Sequence, residues 1–289
     1  MILMMTNNET RNIEVLDKLP KGFKMDWSLK AIGVENAHKK TKGEGVKVLV
    51  IDTGLDENHP ELKGKLQYGI DMFKKNNDVT DLYGHGTHVA GLIAGNNTGV
   101  APNVDLYVAK VLNEDGEGSM ASVMDGITLA INFEVDILCM SLGIRGGLPV
   151  RLEERILEAH AKGINIVCAV GNMGLPEPDY PAFLNEVIAV GGVDAELKHL
   201  DFSNRGKQVD ISAPALNILS TFKDGKYARM SGTSMASPIV AGAIALLISH
   251  NRKKGIELTN EQVKEKIMSL GSHSYDYGYG VVDLSKLLD

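Results

Sequence analysis

Cysteine is almost missing from this chain. Its 289 residues hold two, Cys139 and Cys168, each inside an apolar run. Two thiols make no secreted disulfide framework, and buried free thiols are expected at such positions. Basic charge is short as well, with 30 Lys and Arg against 37 Asp and Glu and a formal net charge of −7. No basic face dominates, which excludes a nucleic-acid partner and leaves room for a basic substrate. The stretch from Met1 to Arg11 opens with apolar residues but has no positive segment ahead of them, and no run reaches membrane-spanning length. Neither a signal peptide nor a membrane anchor is therefore expected, and the chain reads as cytoplasmic. Internal repeats, low-complexity linkers and breaks in composition are lacking too, which favours one domain.

What is present is apolar material and glycine: 44% of residues are hydrophobic and 31 are Gly. That suffices for a large core with many tight turns. Val46–Ile51, Asp105–Leu112, Asp136–Ser141 and Ile164–Val170 read as nearly all-apolar strands, with shorter ones at Val187–Val190 and Val209–Ile211. Such strands are expected where a parallel sheet is covered on both faces. Helical patterns lie between them, at about Trp27–His38, from His85, at about Met120–Phe133 and at about Val150–Lys162. The alternation predicts an α/β fold with a mostly parallel central sheet and helices on both faces. Residues 1–20 are polar and mixed, and read as an N-terminal arm, disordered or regulatory, ahead of a folded domain at 21–289.

Ser231-Gly232-Thr233-Ser234-Met235-Ala236-Ser237-Pro238 runs into a small, apolar helix that is expected to be buried. Ser234 can be a simple N-cap there, or a nucleophile placed where unpaired N–H groups hold an oxyanion. Two other residues sharpen the choice. Asp52 ends a buried strand, at the edge where open α/β sheets carry their sites, and His85 opens a helix between two glycines. Serine needs a base to take its proton. Imidazole serves near neutral pH, and a buried carboxylate fixes its tautomer. Asn172 follows a further strand and can aim an amide at the same point.

Three segments carry a resemblance: Val50-Ile51-Asp52-Thr53-Gly54, His85-Gly86-Thr87-His88-Val89-Ala90-Gly91 and Gly232-Thr233-Ser234-Met235-Ala236-Ser237-Pro238. In this order, with Asn172 between the second and third, the chain resembles the subtilisin-like serine proteases from about Trp27 to Leu288, and most the intracellular branch. The resemblance implies a single three-layer domain, with Asp52, His85 and Ser234 as catalytic triad and Asn172 as oxyanion-hole donor. It implies a peptide or protein substrate in extended conformation, paired with Ser141-Leu142-Gly143 and with the segment around Gly116 and Gly118. Ala169, Gly171 and Asp179 would line the pocket for the P1 side chain. His88 and His59 are expected to be structural.

The chain departs from the family in three places. The loop Gly95–Pro102 is short and Glu61 stands where a calcium-ligating Asp is common. A hard cation takes about six to eight oxygens, so the strong calcium site is expected to be absent, no cofactor is required, and only a weak cation site near Asp194 remains. Asp179 replaces a small residue at the floor of the P1 pocket. There it favours Lys or Arg, unless the shortened loop carries it out to solvent. Finally, about 20 residues precede the domain, too few for a folded prodomain, and Ile13–Pro20 could lie across the cleft as an inhibitory arm. The expected activity is a serine endopeptidase acting through an acyl-enzyme in intracellular processing or turnover. A dedicated precursor-maturation peptidase and a catalytically silent binding protein are the alternatives. Oligomeric state is not legible.

Overall fold

Side chains that alternate in direction along buried strands divide the molecule into layers. The computed structural model describes residues 13–289 and the backbone of residues 2–4. Its strands are β1 (Ile2–Met4), β2 (Glu14–Leu16), β3 (Lys47–Asp52), β4 (Leu66–Asp71), β5 (Asp105–Lys110), β6 (Glu117–Ser119), β7 (Ile137–Met140), β8 (Asn165–Ala169), β9 (Val187–Val193), β10 (Ile211–Pro214), β11 (Ile218–Phe222) and β12 (Lys226–Met230). The helices are α1 (Trp27–Ala31), α2 (Val34–Ala37), α3 (His85–Ala94), α4 (Met120–Asn132), α5 (Val150–Ala161), α6 (Thr233–Arg252), α7 (Asn260–Met268) and α8 (Leu284–Leu287).

Seven strands form one parallel sheet in the order β10-β9-β8-β7-β3-β5-β4. On β3, Val48 and Val50 point into the core shared with Val89 and Leu92 of α3 and Ile239 and Ile244 of α6. Leu49 and Ile51 point the other way, to Val123 and Ile127 of α4 and Leu152 and Ile156 of α5. The expected α/β architecture with helices on both faces is therefore present. Burying each of these side chains is worth roughly 1.5–3 kcal/mol relative to leaving it in water. Cys139 and Cys168 are buried free thiols, and burial pushes the Cys139 thiol up to about 12.

Several boundaries differ from the sequence pattern. The single helix expected over Trp27–His38 is split into α1 and α2, because Gly33 adopts a left-handed φ of 82° between them. β5 stops at Lys110, and β10 starts at Ile211 and reaches Pro214. β4 escaped notice because it is an edge strand with only partial burial. β11, β12 and β2 form a separate antiparallel sheet, and β1 pairs with β6. α6 is long and apolar enough to cross a membrane, which the expectation of no such run overlooked, but nearly all of it is buried in the core.

Candidate active site

The parallel strands end at one edge, and the residues singled out in the sequence gather there. Asp52 closes β3 and is fully buried. The His85 Nδ1 lies 2.8 and 2.9 Å from the two Asp52 carboxylate oxygens. With Nδ1–H donating to the carboxylate, the tautomer is set and Nε2 becomes the basic nitrogen. His85 can come this close because the first turn of α3 has no bulk: a methyl on Gly86 would overlap the Gly54 carbonyl. Gly84 serves as N-cap at φ 108°, a conformation that side chains resist.

A carboxylate missed in the sequence locks this corner. Asp81 Oδ1 accepts from the Thr53 hydroxyl at 2.9 Å, Tyr83 N at 3.0 Å and Gly84 N at 2.8 Å. Its Oδ2 accepts from Thr87 N at 2.9 Å and the Thr87 hydroxyl at 2.7 Å. Asp81 thus supplies acceptors to the open N-terminus of α3 and ties it to the end of β3. Thr53 also receives Gly86 N at 2.8 Å, and the buried Lys110 donates to the Thr53 carbonyl at 2.6 Å. The signals were faint: an Asp four residues before a helical His, and a Lys ending an apolar strand.

Ser234 lies in the first turn of α6, buried, with its hydroxyl donating to the Ser141 carbonyl at 3.3 Å. The Ser141 hydroxyl returns to the Ser234 carbonyl at 3.0 Å and meets the Ser237 hydroxyl at 2.8 Å, pinning the end of β7 to α6. α3 and α6 pack against each other, so the segments bearing His85 and Ser234 are neighbours. The Asn172 Oδ1 accepts from Thr233 N at 2.8 Å and from the Thr233 hydroxyl at 3.0 Å. That fixes which way the amide points and turns its Nδ2 group away as a donor. Thr233 had drawn no attention in the sequence.

Asp179 is buried and is not carried out to solvent. Its N–H donates to the Val170 carbonyl at 2.8 Å, and its side chain lies between Gly143 and Gly171. A methyl on Gly143 would sit 3.2 Å from the Asp179 Cβ, and one on Gly171 would overlap its carboxylate. Ala169 ends β8 beside them. Arg145 Nε is 3.6 Å from Asp179 Oδ1. Burial pushes the Asp179 carboxyl above its usual range, Arg145 pulls it down and Glu177 pushes it up.

Along the other wall, Gly116 rests on the Tyr83 ring and Gly118 lies in β6. That edge is paired antiparallel with β1, with Ile2 opposite Ser119, Leu3 opposite Gly118 and Met4 opposite Glu117. The segment expected across the cleft, Ile13–Pro20, is elsewhere: its β2 pairs with β12, Val15 opposite Ala228. The rest of the arm, residue 1 and residues 5–12, falls outside the described residues.

His88 Nε2 lies 3.1 and 3.0 Å from the carbonyls of Ile218 and Ala228, and burial pushes its pKa down to about 3. It is a neutral structural donor. His59 bonds the Lys226 carbonyl and Glu61 N. Among the described residues no group of three or more His, Cys, Asp or Glu could hold a metal. Glu61 instead accepts from Asn97 N at 2.5 Å, Asn97 Nδ2 at 2.8 Å and the Tyr227 hydroxyl at 3.3 Å. Asp194 Oδ1 accepts the N–H groups of Glu196 and Lys198 in a turn.

Comparison with known proteins agrees with this geometry. The profile described as "Subtilase family" matches residues 43–280. The chain is 41% identical over 259 residues to the major intracellular serine protease of Bacillus subtilis (strain 168), covering 84% of this chain and 79% of that one. It is 42% identical over 246 residues to the intracellular serine protease of Paenibacillus polymyxa, covering 80% and 73%. Against the thermostable alkaline protease of Halalkalibacterium halodurans, identity is 40% over 266 residues, covering 89% and 71%.

Proposed function

The chain belongs to the subtilase family and is a subtilisin-like serine endopeptidase, and we propose that Asp52, His85 and Ser234 are its catalytic triad. The observation that carries this reading is the fully buried Asp52 carboxylate held on His85 Nδ1. Nε2 of His85 takes the Ser234 proton as Oγ attacks the scissile carbonyl carbon. The negative charge on the substrate oxygen is met by Asn172 Nδ2 and the Ser234 N–H. The C–N bond breaks as His85 returns the proton to the leaving amine, and water then hydrolyses the acyl-enzyme by the same exchange. A burst of product equal to one acyl group per chain, on rapid mixing with an activated ester, tests the covalent step. A linear start with slow chemistry and no burst after rapid acylation conditions argues against it.

The substrate is a peptide or protein, read in extended conformation between Ser141–Gly143 and the Gly116–Gly118 edge. Asp179 between Gly143 and Gly171 supports a P1 preference for Lys or Arg, and Glu114, Asp115 and Glu117 add acid on the opposite wall. Profiling a P1 library with wild type and Asp179→Ala tests this, and an identical aromatic or aliphatic preference in both would refute it. Cytoplasmic protein processing or turnover fits the names of two relatives, "intracellular" in each case. A dedicated precursor-maturation role differs only in the shape of the outer subsites.

The pairing of β1 on β6 supports a regulatory arm, because it takes the backbone groups that an extended substrate would use. Equal rates with and without residues 1–20 would end that idea. No cofactor is required in this reading. Glu61 spends its oxygens on Asn97 and Tyr227 rather than on a calcium ion, and a cation near Asp194 is bound weakly at most. Unchanged activity and melting after chelation is the expected result; a large loss of either would restore a strong calcium site.

A further inference from the structure

The carboxylate read as the floor of the P1 pocket already has a cation beside it, Arg145 Nε at 3.6 Å. The Asp179 side chain is 4% exposed, whereas that of Arg145, which pairs with it, is 47% exposed. One partner is enclosed and the other reaches solvent. Asp179 is wedged between the Gly143 and Gly171 backbones. Arg145 stands just outside the bridge that joins Ile144 to Tyr180, with N–H to carbonyl distances of 2.8 and 2.9 Å, and is followed by Gly146 and Gly147, both at positive φ. Arg145 and Asp179 line one crevice of about 400 Å³ together with Glu177, Tyr180 and Phe183.

We propose that Arg145 is an internal counter-ion for Asp179, displaced when a substrate brings Lys or Arg into the pocket. With the pair closed, the buried carboxylate is neutralised and a neutral P1 side chain can enter without facing an unpaired charge. With a basic P1 side chain, one cation is exchanged for another, and Arg145 swings into solvent on its glycine hinge. Exchange is feasible because the displaced guanidinium is half exposed, so its pairing is weak and screened by salt. Glu177 beside the pair offers a second acceptor for whichever cation is outermost. The consequence is a breadth that Asp179 alone would not permit: the same pocket takes neutral and basic side chains, and Arg145 sets the ratio.

The inference rests on the reading of Asp179 as the pocket floor, and a double-mutant series separates the two. Wild type, Arg145→Gln, Asp179→Ala and the double variant are assayed on one peptide with P1 Arg, Lys, Leu or Phe, recording kcat and KM, with thermal melting as a folding control. In Arg145→Gln the basic-to-neutral ratio of kcat/KM rises roughly fivefold, the scale of a half-exposed ion pair, mostly through a lower KM for basic P1. The rise is absent when Asp179 is already Ala. If Arg145→Gln leaves the ratio unchanged while Asp179→Ala lowers it, the counter-ion role is overturned and the pocket floor stands. If neither Asp179→Ala nor the double variant alters the P1 profile, the pocket reading fails and the counter-ion role fails with it.

Discussion

Two corners of the same sheet edge are built in opposite ways. At the end of β3, Asp52 and Asp81 are buried carboxylates whose acceptor positions are filled by fixed donors: the His85 ring, backbone N–H groups and threonine hydroxyls. Near the end of β8, Asp179 is also buried, yet among the described residues its ion pair is one half-exposed, long arginine contact. A charge held by several short, preorganised bonds has one geometry, which bond-making chemistry requires. A charge held by one half-exposed partner has an exchangeable environment, which selecting among substrates can use. Chemistry and selection are thus kept apart by how each carboxylate is satisfied.

Substitutions of the groups that make and break bonds should cost far more than those around Asp179. His85→Ala is expected to lower kcat by about a millionfold, the size known for loss of the base or nucleophile in subtilisin, with little change in KM. Steady-state peptide assays check it, and a loss under a hundredfold would break the contrast. Asn172→Leu should lower kcat by about a hundred- to a thousandfold, the subtilisin value for its oxyanion donor, again without a matching rise in KM.

Asp81→Ala strands several buried donors, each costing about 1–3 kcal/mol, so a stability loss of at least about 3 kcal/mol is expected in urea unfolding. Asp81→Asn keeps one acceptor oxygen in place of two and should recover part of it. Equal, small losses for both would deny Asp81 its role in tying the start of α3 to the end of β3.

The smallest effect is with pH. His88 titrates at about 3 in the folded protein and near 6.5 when unfolded. Between those values only the unfolded chain binds the proton. Stability is therefore complete above pH 6.5 and falls as pH drops toward 3, by about 2 kcal/mol at pH 5. His88→Gln should flatten that slope in melting experiments, and an unchanged slope would assign it to other groups.

The parts legible in the sequence were those whose meaning is local. Asp52 after an all-apolar strand, His85 between glycines and Ser234 before a small apolar helix each announce themselves within a few residues. The layers followed from strands covered on both faces. What stayed hidden depends on partners far along the chain: Asp81 reaches Thr53, Lys110 reaches Thr53, and Thr233 orients Asn172. Edge strand β4 lacks the continuous burial that marks the central strands, and β11 and β12 pair as an antiparallel hairpin outside the alternation of strands and helices. Arg145 carries no sequence signal of its own, since its meaning comes from the buried Asp179 beside it.

The account turns on Ser234 being the activated nucleophile. A fluorophosphonate probe applied to the full chain, followed by peptide mapping, tests it directly. One adduct per chain on Ser234, abolished in His85→Ala, is the predicted result. No adduct on the folded protein, or an adduct on another serine that persists in Ser234→Ala, would contradict it.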